Sequence, residues 1–203
     1  MQPLRSLSIE EFDPELRQML DADQKTEREL RPTSIRAHHP ELAKAFVRFG
    51  GALKLHSVLS ARLRELVRLR IAFHNQCRSC MAMRYADAVD AGVTEGLVCS
   101  LEQPQEAADL TAAERVALRY ADLLATNHLA VDGALYGLLK EHFTEMEIVE
   151  LGMVCAVCIG VGRLSATWNM TEDLPDRFKD AGDVTVTPWG PDAWTTQRFV
   201  AKV

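Results

Sequence analysis

Helix-start signals recur along this chain, and they constrain its fold more than any other feature. Three segments, SIEE (8–11), TAAE (111–114) and TEME (144–147), fit the capping box, in which a hydroxyl and a carboxylate three residues apart satisfy free backbone N–H groups. Strand signals are nearly absent. Only Asp183 to Thr187 alternates, and Pro188 limits that segment to an edge strand or an extended tail. The sequence therefore predicts an all-α fold.

Apolar periodicity and terminators divide the chain into helices. With 203 residues and 47% hydrophobic content, the chain can bury a sizeable core as one domain or two small ones. We expect a helical domain over residues 1–170 and an irregular C-terminal arm over residues 171–203. The predicted helices run from Pro40 to about Phe49, from Ser60 to about His74, from an N-cap at Asn75 to Gly92, near Thr94 to Ser100, and over about 112–126, 132–143 and 145–168.

Two helices carry a similar short pattern. Residues 65–69 (ELVRL) and 147–151 (EIVEL) share a glutamate, two aliphatic residues, a charge and a leucine, at an offset of 82 residues. This similarity indicates either an internal duplication of helical halves or a chance match of five positions.

The net charge, the lengths of the apolar segments and the absence of cofactor motifs argue against binding to nucleic acid, membranes and cofactors. The net charge is −6 and no stretch concentrates basic residues, which argues against binding to nucleic acid. The N-terminus lacks a signal-like apolar run, and the longest apolar stretch, Leu151 to Gly162, is shorter than a membrane span. No GxGxxG, phosphate-binding loop or HExxH is present, so we expect no cofactor. We therefore expect a cytoplasmic protein that does not bind membranes.

The five cysteines include two CxxC pairs. Two such pairs can form a zinc site, but here 74 residues separate them, whereas zinc knuckles are usually about 15–20 residues apart. Cys155 and Cys158 lie in an apolar helical stretch, so we expect them, and Cys99, to pack in the core. We expect no metal.

Cys77 and Cys80 have polar neighbours and lie at a predicted helix start. Helical spacing would place both sulfurs and Arg84 on one face, where the helix N-terminus and the guanidinium favour thiolate. The alternative is that the two thiols are packed without chemistry.

Glu65 lies 12 residues before Cys77, on the preceding helix. An antiparallel turn could bring its carboxylate to the cysteines as a general base. A structural ion pair with a neighbouring arginine explains the residue equally well, and the candidates for that pair are Arg62, Arg68 and Arg70.

The pattern of Glu65, eleven intervening residues and Cys77-x-x-Cys80, within LRELVRLRIAFHNQCRSC, resembles the carboxymuconolactone decarboxylase and AhpD-like alkylhydroperoxidase superfamily. The later LTAAERVALRYADLLA also resembles it, and the similarity covers a core of about residues 40–170. The resemblance implies an all-α AhpD-like helical fold that assembles as a homo-oligomer, a trimer or a hexamer.

The resemblance also implies roles for the site residues. Cys80 would attack the peroxide, Cys77 would resolve the sulfenic acid to a disulfide, and Glu65 would begin a proton relay. The family pattern has a histidine where this chain has Arg84, and often one where it has Ser79. An arginine supports a thiolate but stays protonated, so His74 or His56 would have to carry the proton.

Three functions follow from these patterns. The first is a thiol-dependent peroxidase or disulfide oxidoreductase that uses a small alkyl hydroperoxide and an external dithiol reductant. The second is a decarboxylase-like lyase on a small lactone acid, which several arginines could bind. The third is a non-catalytic, redox-sensing oligomer.

Overall fold

The described part of the chain folds mainly into helices. The computed structural model describes residues 2–179 and 184–197, and the predicted all-α class is confirmed. Five short 3-10 turns and two two-residue strands join the helices within that part of the chain. In chain order the elements are α1 (Pro14–Leu20), α2 (Glu27–Arg36), α3 (Pro40–Leu55), α4 (Ala61–Asn75), α5 (Arg78–Ala82), β1 (Met83–Arg84), α6 (Ala86–Asp90), α7 (Glu95–Cys99), α8 (Ala112–Thr126), α9 (Gly133–Lys140), α10 (Glu145–Thr167) and β2 (Trp194–Thr195).

All three predicted capping boxes are formed. Thr111 and Thr144 cap α8 and α10, each hydroxyl accepting a hydrogen bond from the backbone N–H three residues later. The box at Ser8 starts only a 3-10 turn, Ile9–Glu11. A fourth box at Thr26 starts α2. These local signals fixed the helix starts because they satisfy backbone groups that no helical partner can reach.

Helices α4, α8 and α10 pack together around the main hydrophobic core. On α4, Leu66, Val67, Leu69 and Ile71 are completely buried, as the broad apolar stripe predicts. Each such side chain contributes about 1.5–3 kcal/mol by leaving water. This core fixes α4, the helix that leads into the two cysteines.

Helix α10 crosses the core and is longer than the apolar stretch seen in the sequence. Its 23 residues are long and apolar enough to cross a membrane by length and composition alone. Core helices of soluble proteins pass the same test, and α10 packs on both α4 and α8. Close packing is visible at Gly162, where a Cβ atom would lie 2.5 Å from Asn75 Nδ2.

The predicted helix from Asn75 to Gly92 is wrong, because the chain there changes direction twice. Asn75 ends α4 instead of starting a helix, and its side-chain amide donates to the Cys158 carbonyl on α10 at 2.8 Å. Gln76 then adopts a left-handed φ of 50°, and Cys77 is the N-cap of the short helix α5. A second difference lies in α3, which continues through Gly50-Gly51 to Leu55.

The described part of the C-terminal arm packs back onto the same chain. Trp194–Thr195 (β2) pairs in parallel with Met83–Arg84 (β1), and Phe178 is fully buried. The Gln76 side chain exchanges two hydrogen bonds with the backbone of Val186. Of the segment expected to be an edge strand, Asp183 lies outside the described residues, and 184–187 form no strand.

Candidate functional site

The two cysteines of the first CxxC are joined by a disulfide at the start of α5. Cys77 is completely buried, whereas Cys80 is partly exposed. The Ser79 hydroxyl oxygen lies 3.6 Å from the Cys77 sulfur. The pair is therefore asymmetric, with one cysteine accessible and the other enclosed.

Cys80 lines a cavity of about 220 Å³ between α2, α3, α4, α5, α10 and the C-terminal arm. Ser79, Arg68 and Tyr85 line it beside the cysteine. Most of the remaining wall is apolar, with Phe46 from α3 and Val157 and Val161 from α10 among its members. A small ligand in this cavity would thus meet the Cys80 side of the disulfide, with Cys77 outside the lining.

Glu65 is buried behind this cavity in a two-pronged ion pair. Its two carboxylate oxygens accept hydrogen bonds from Arg68 Nε and Nη2, both at 2.7 Å, and one also accepts from the Tyr85 backbone N–H at 3.1 Å. The structure thus contains the ion pair with Arg68 that was one alternative for Glu65. The other two candidates pair elsewhere, Arg62 with Glu114 and Arg70 with Asp122.

Arg68 connects this carboxylate to the cysteine segment. Its Nη1 donates to the Cys80 carbonyl and its Nη2 to the Met83 carbonyl, each at 2.7 Å. Burial alone would lower the pKa of Arg68, but the attraction of Glu65 outweighs burial and raises that pKa. Arg68 is thus a fixed cation at the cavity wall, and the sequence signal for it was its i+3 spacing from Glu65.

A second cavity of about 210 Å³ adjoins the first on the side of α3. Arg68, Tyr85, Val157 and Cys158 line both cavities, and Glu65 lines only the second. The guanidinium of Arg68 lies 4.9 Å from the centre of the Tyr85 ring. The side chains that line both cavities therefore lie between Glu65 and the space in front of Cys80.

The other cysteines differ from one another. Cys155 is buried as predicted, whereas the prediction for Cys99 is wrong, because its side chain is exposed at the end of α7. Cys158 is partly exposed in the cavities, and burial raises the pKa of its thiol to about 11. Burial also raises the pKa of Cys155. Both thiols are neutral at physiological pH.

The predicted placement of Arg84 beside Cys80 is wrong. The helix stops at Ala82, so the i+4 geometry that would bring Arg84 to the cysteine is lost. The Arg84 side chain is 2% exposed, and its Nε and Nη2 donate to the two Glu95 oxygens at 2.8 and 3.0 Å. Its remaining hydrogen bonds go to backbone carbonyls, including that of Pro188 in the arm at 2.7 Å. Arg84 therefore joins α5, α7 and the arm, and does not line the Cys80 cavity.

Neither histidine proposed as a proton carrier lines that cavity. His74 Nε2 lies 2.7 Å from Asp122 Oδ1, in a cluster that Arg70 completes. His56 is exposed at the end of α3. Among the lining residues, Ser79, Ser165 and Tyr85 carry hydroxyl groups, Cys158 carries a thiol, and Cys80 carries a disulfide sulfur.

The part of the chain that contains this site is similar to known proteins. Residues 40–123, which include Glu65 and both cysteines of the disulfide, match the carboxymuconolactone decarboxylase family. Uncharacterized proteins from two Mycobacterium tuberculosis strains, H37Rv and CDC 1551, are each 38% identical over 117 residues, or 56% of this chain and 40% of theirs. The chain thus spans less than half the length of these relatives. The Bacillus subtilis protein YdfG is 27% identical over 106 residues, or 48% of this chain and 67% of that protein.

The fold also matches a solved structure. It is described as an alkylhydroperoxidase AhpD core, an uncharacterized peroxidase-related protein from Ralstonia eutropha JMP134. The TM-score is 0.60 at 20% identity, with 80% of this chain and 87% of the other covered. The predicted AhpD-like fold is thereby confirmed.

Proposed function

We propose that this chain, whose residues 40–123 match the carboxymuconolactone decarboxylase family, is a thiol-dependent peroxidase acting through Cys80 and Cys77. The substrates are a small organic hydroperoxide and an external dithiol. The Cys80 thiolate attacks the terminal peroxide oxygen and breaks the O–O bond, giving an alcohol and a sulfenic acid. The Cys77 thiol then displaces water to form the disulfide, and the dithiol reduces it again. The sum converts hydroperoxide and dithiol to alcohol, water and a new disulfide.

The asymmetry of the cysteine pair carries this proposal. The attacking residue must meet a peroxide, and Cys80 lines the cavity. The resolving residue must reach only its partner, and Cys77 is buried and bonded to Cys80. Two polar groups on the wall could favour a thiolate or donate to a leaving alkoxide: the hydroxyl of Ser79, which precedes Cys80 in the chain, and the guanidinium of Arg68, which donates to the Cys80 carbonyl.

Cysteine variants test the proposal. Reduced protein is mixed with cumene hydroperoxide, and we expect two thiols to be lost for each peroxide consumed. Cys80→Ser should abolish consumption, and Cys77→Ser should stop at a sulfenic acid that dimedone traps on Cys80. Cys99→Ser, an exposed cysteine outside the cavity, is the matched control and should keep wild-type turnover. If folded, reduced wild-type protein leaves the peroxide intact, the proposal is wrong.

A lyase acting on a small lactone acid is the second candidate, because several arginines line the cavity and could bind a carboxylate. That reaction needs no dithiol. Activity on carboxymuconolactone that survives the Cys77→Ser, Cys80→Ser double substitution would favour this candidate over the peroxidase.

We also propose that the protein is cytoplasmic and forms a homo-oligomer, a trimer or a hexamer. A reducing compartment would return the disulfide to its thiol form.

Large apolar side chains exposed along α10, among them Met146 and Val149, support a second copy as the partner of that surface. A non-catalytic, redox-sensing oligomer would use the same disulfide without turnover, and the peroxide assay separates the two.

A further inference from the structure

The cavity in front of Cys80 contains more cationic than anionic side chains. Four arginines line it, against two carboxylates, although the chain as a whole carries a net charge of −6. The four arginines are Arg28, Arg31, Arg36 and Arg68, and the two carboxylates are Glu29 and Asp173.

Most of these side chains already have an ionic or hydrogen-bonding partner, although Arg28 and Glu29 have no ion-pair partner among the described residues. Arg68 pairs with Glu65, and Arg31 pairs with Asp173. Glu29 accepts hydrogen bonds from Thr26 and from the Gln197 backbone N–H. Arg28 donates to a backbone carbonyl, that of Asp173. Arg36 makes no ion pair with any carboxylate in the part of the chain that the structure describes.

Arg36 is nevertheless held in place. Its Nε donates to the Pro32 carbonyl at 3.1 Å, one turn back on α2. Its guanidinium lies 4.7 Å from the centre of the Phe46 ring and 5.9 Å from that of Trp168. Burial lowers its pKa to about 10, so it stays protonated at neutral pH. Within residues 2–179 and 184–197, its two terminal nitrogens have no hydrogen-bond acceptor.

An oriented guanidinium with free terminal N–H groups is suited to a two-pronged contact with a carboxylate. The surrounding wall is mostly apolar, which strengthens such a contact because water competes less. The cavity volume of about 220 Å³ is below the roughly 300–1,000 Å³ typical of drug-sized ligand sites, so the ligand body must be small.

We propose that this cavity selects small organic hydroperoxides whose apolar body carries a carboxylate, with Arg36 binding the carboxylate and Cys80 facing the peroxide. The inference rests on the proposed peroxidase function and adds the substrate class. Arg36 acts as a specificity residue, which the sequence pattern around the cysteines could not indicate because Arg36 belongs to a different helix, α2.

Two matched hydroperoxides test the substrate class. Cumene hydroperoxide and its para-carboxylate differ only in the charged group. We expect the wild-type protein to turn over the carboxylate with kcat/KM about tenfold higher or more, as one charge-assisted hydrogen bond allows. Arg36→Gln should erase this preference, so that kcat/KM becomes equal for the two substrates, and Arg36→Lys should keep part of it. Arg119→Gln, an exposed arginine on α8, is the control.

A binding measurement keeps this inference separate from the peroxidase itself. Tryptophan fluorescence is titrated with 4-isopropylbenzoate and with its uncharged amide. We expect only the benzoate to bind the wild-type protein, and Arg36→Gln to weaken it about tenfold or more. If neither hydroperoxide reacts but the benzoate binds through Arg36, the peroxidase proposal fails and the carboxylate site stands. If the two hydroperoxides react equally, or Arg36→Gln leaves the preference and the binding unchanged, the carboxylate site is wrong.

Discussion

Arg68 donates to the backbone carbonyl of Cys80 at 2.7 Å while it binds both carboxylate oxygens of Glu65. One guanidinium thus fixes the end of the cysteine helix relative to α4. In this oxidised form the Glu65 carboxylate is fully engaged with Arg68 and with the Tyr85 backbone. The carboxylate therefore positions the site through Arg68.

Replacing Glu65 by Gln should destabilise the protein strongly. The side chain is 1% exposed, so the substitution leaves the charge of Arg68 buried without its counter-charge. Loss of one partner of a buried pair costs about 3–5 kcal/mol. We expect a loss of about 3 kcal/mol in the free energy of urea unfolding.

The control for this substitution is Glu145→Gln, an exposed carboxylate on α10 that pairs with Lys140 at the surface. It should change the unfolding free energy by less than about 1 kcal/mol. If Glu65→Gln is as mild as this control, the ion pair does not hold the site together.

The helices that depend on local signals were predictable from the sequence. Capping boxes and apolar stripes act within one or two turns, so α8 and α10 begin at Ala112 and Glu145, as expected. The break between α4 and α6 was not predictable, because its causes are distant in sequence. The Asn75 side-chain amide donates a hydrogen bond to the Cys158 carbonyl, and Met83–Arg84 pairs with a strand more than a hundred residues later.

The same distinction between local sequence signals and contacts distant in sequence applies to the site. Cys77, Cys80 and Glu65 were identified from their spacing, since a helix and a short turn connect them. Arg36 and Cys158 reach the cavity from α2 and α10, and no pattern near the cysteines indicates either residue. Arg84 was misplaced because the helix predicted to run from Asn75 to Gly92 is broken after Ala82.

Replacing Arg84 by His, the residue that the resembled family has there, should damage the fold and not create a proton relay. An imidazole cannot match the two hydrogen bonds to Glu95 together with those to the backbone carbonyls of Met81 and Pro188. We expect a loss of about 3 kcal/mol in unfolding free energy and no gain in peroxide turnover. Arg119→His, at an exposed position on α8, should be neutral. A stable Arg84→His protein with faster turnover would contradict this role.

The cysteines of the reduced protein should differ in their rates of alkylation. Burial raises the pKa of Cys158 to about 11, so at pH 7.5 only about three in ten thousand molecules carry its thiolate. Iodoacetamide and mass spectrometry should show Cys80 and Cys99 modified before Cys155 and Cys158. The rate at Cys158 should rise about tenfold per pH unit up to pH 10. Equal rates at Cys99 and Cys158 would contradict the buried setting of the second pair.

The exposed apolar surface of α10 should support an oligomer. Met146 and Val149 are 69% and 66% exposed, and an aspartate at position 149 would bring a charge into any interface formed there. We expect the wild-type protein to have the mass of a trimer or a hexamer by light scattering, and Val149→Asp to lower it while circular dichroism stays unchanged. Leu129→Asp, at an exposed position on the turn before α9, serves as the control. A wild-type monomer at micromolar concentration would exclude this interface.

The cluster around Asp122 should make stability depend on acidic pH. Burial alone would raise the pKa of Asp122, but hydrogen bonds from His74 and Arg70 outweigh it and leave the pKa below the ordinary value of 3.8. Between the folded and unfolded pKa values the unfolded chain binds more protons, so stability rises with pH in that window. The contribution is therefore complete above about pH 5 and is lost as pH falls below about 4. Urea unfolding from pH 6 to pH 3 should show a shallower decline for Asp122→Asn than for the wild type, and an equal decline would show that this carboxylate does not contribute.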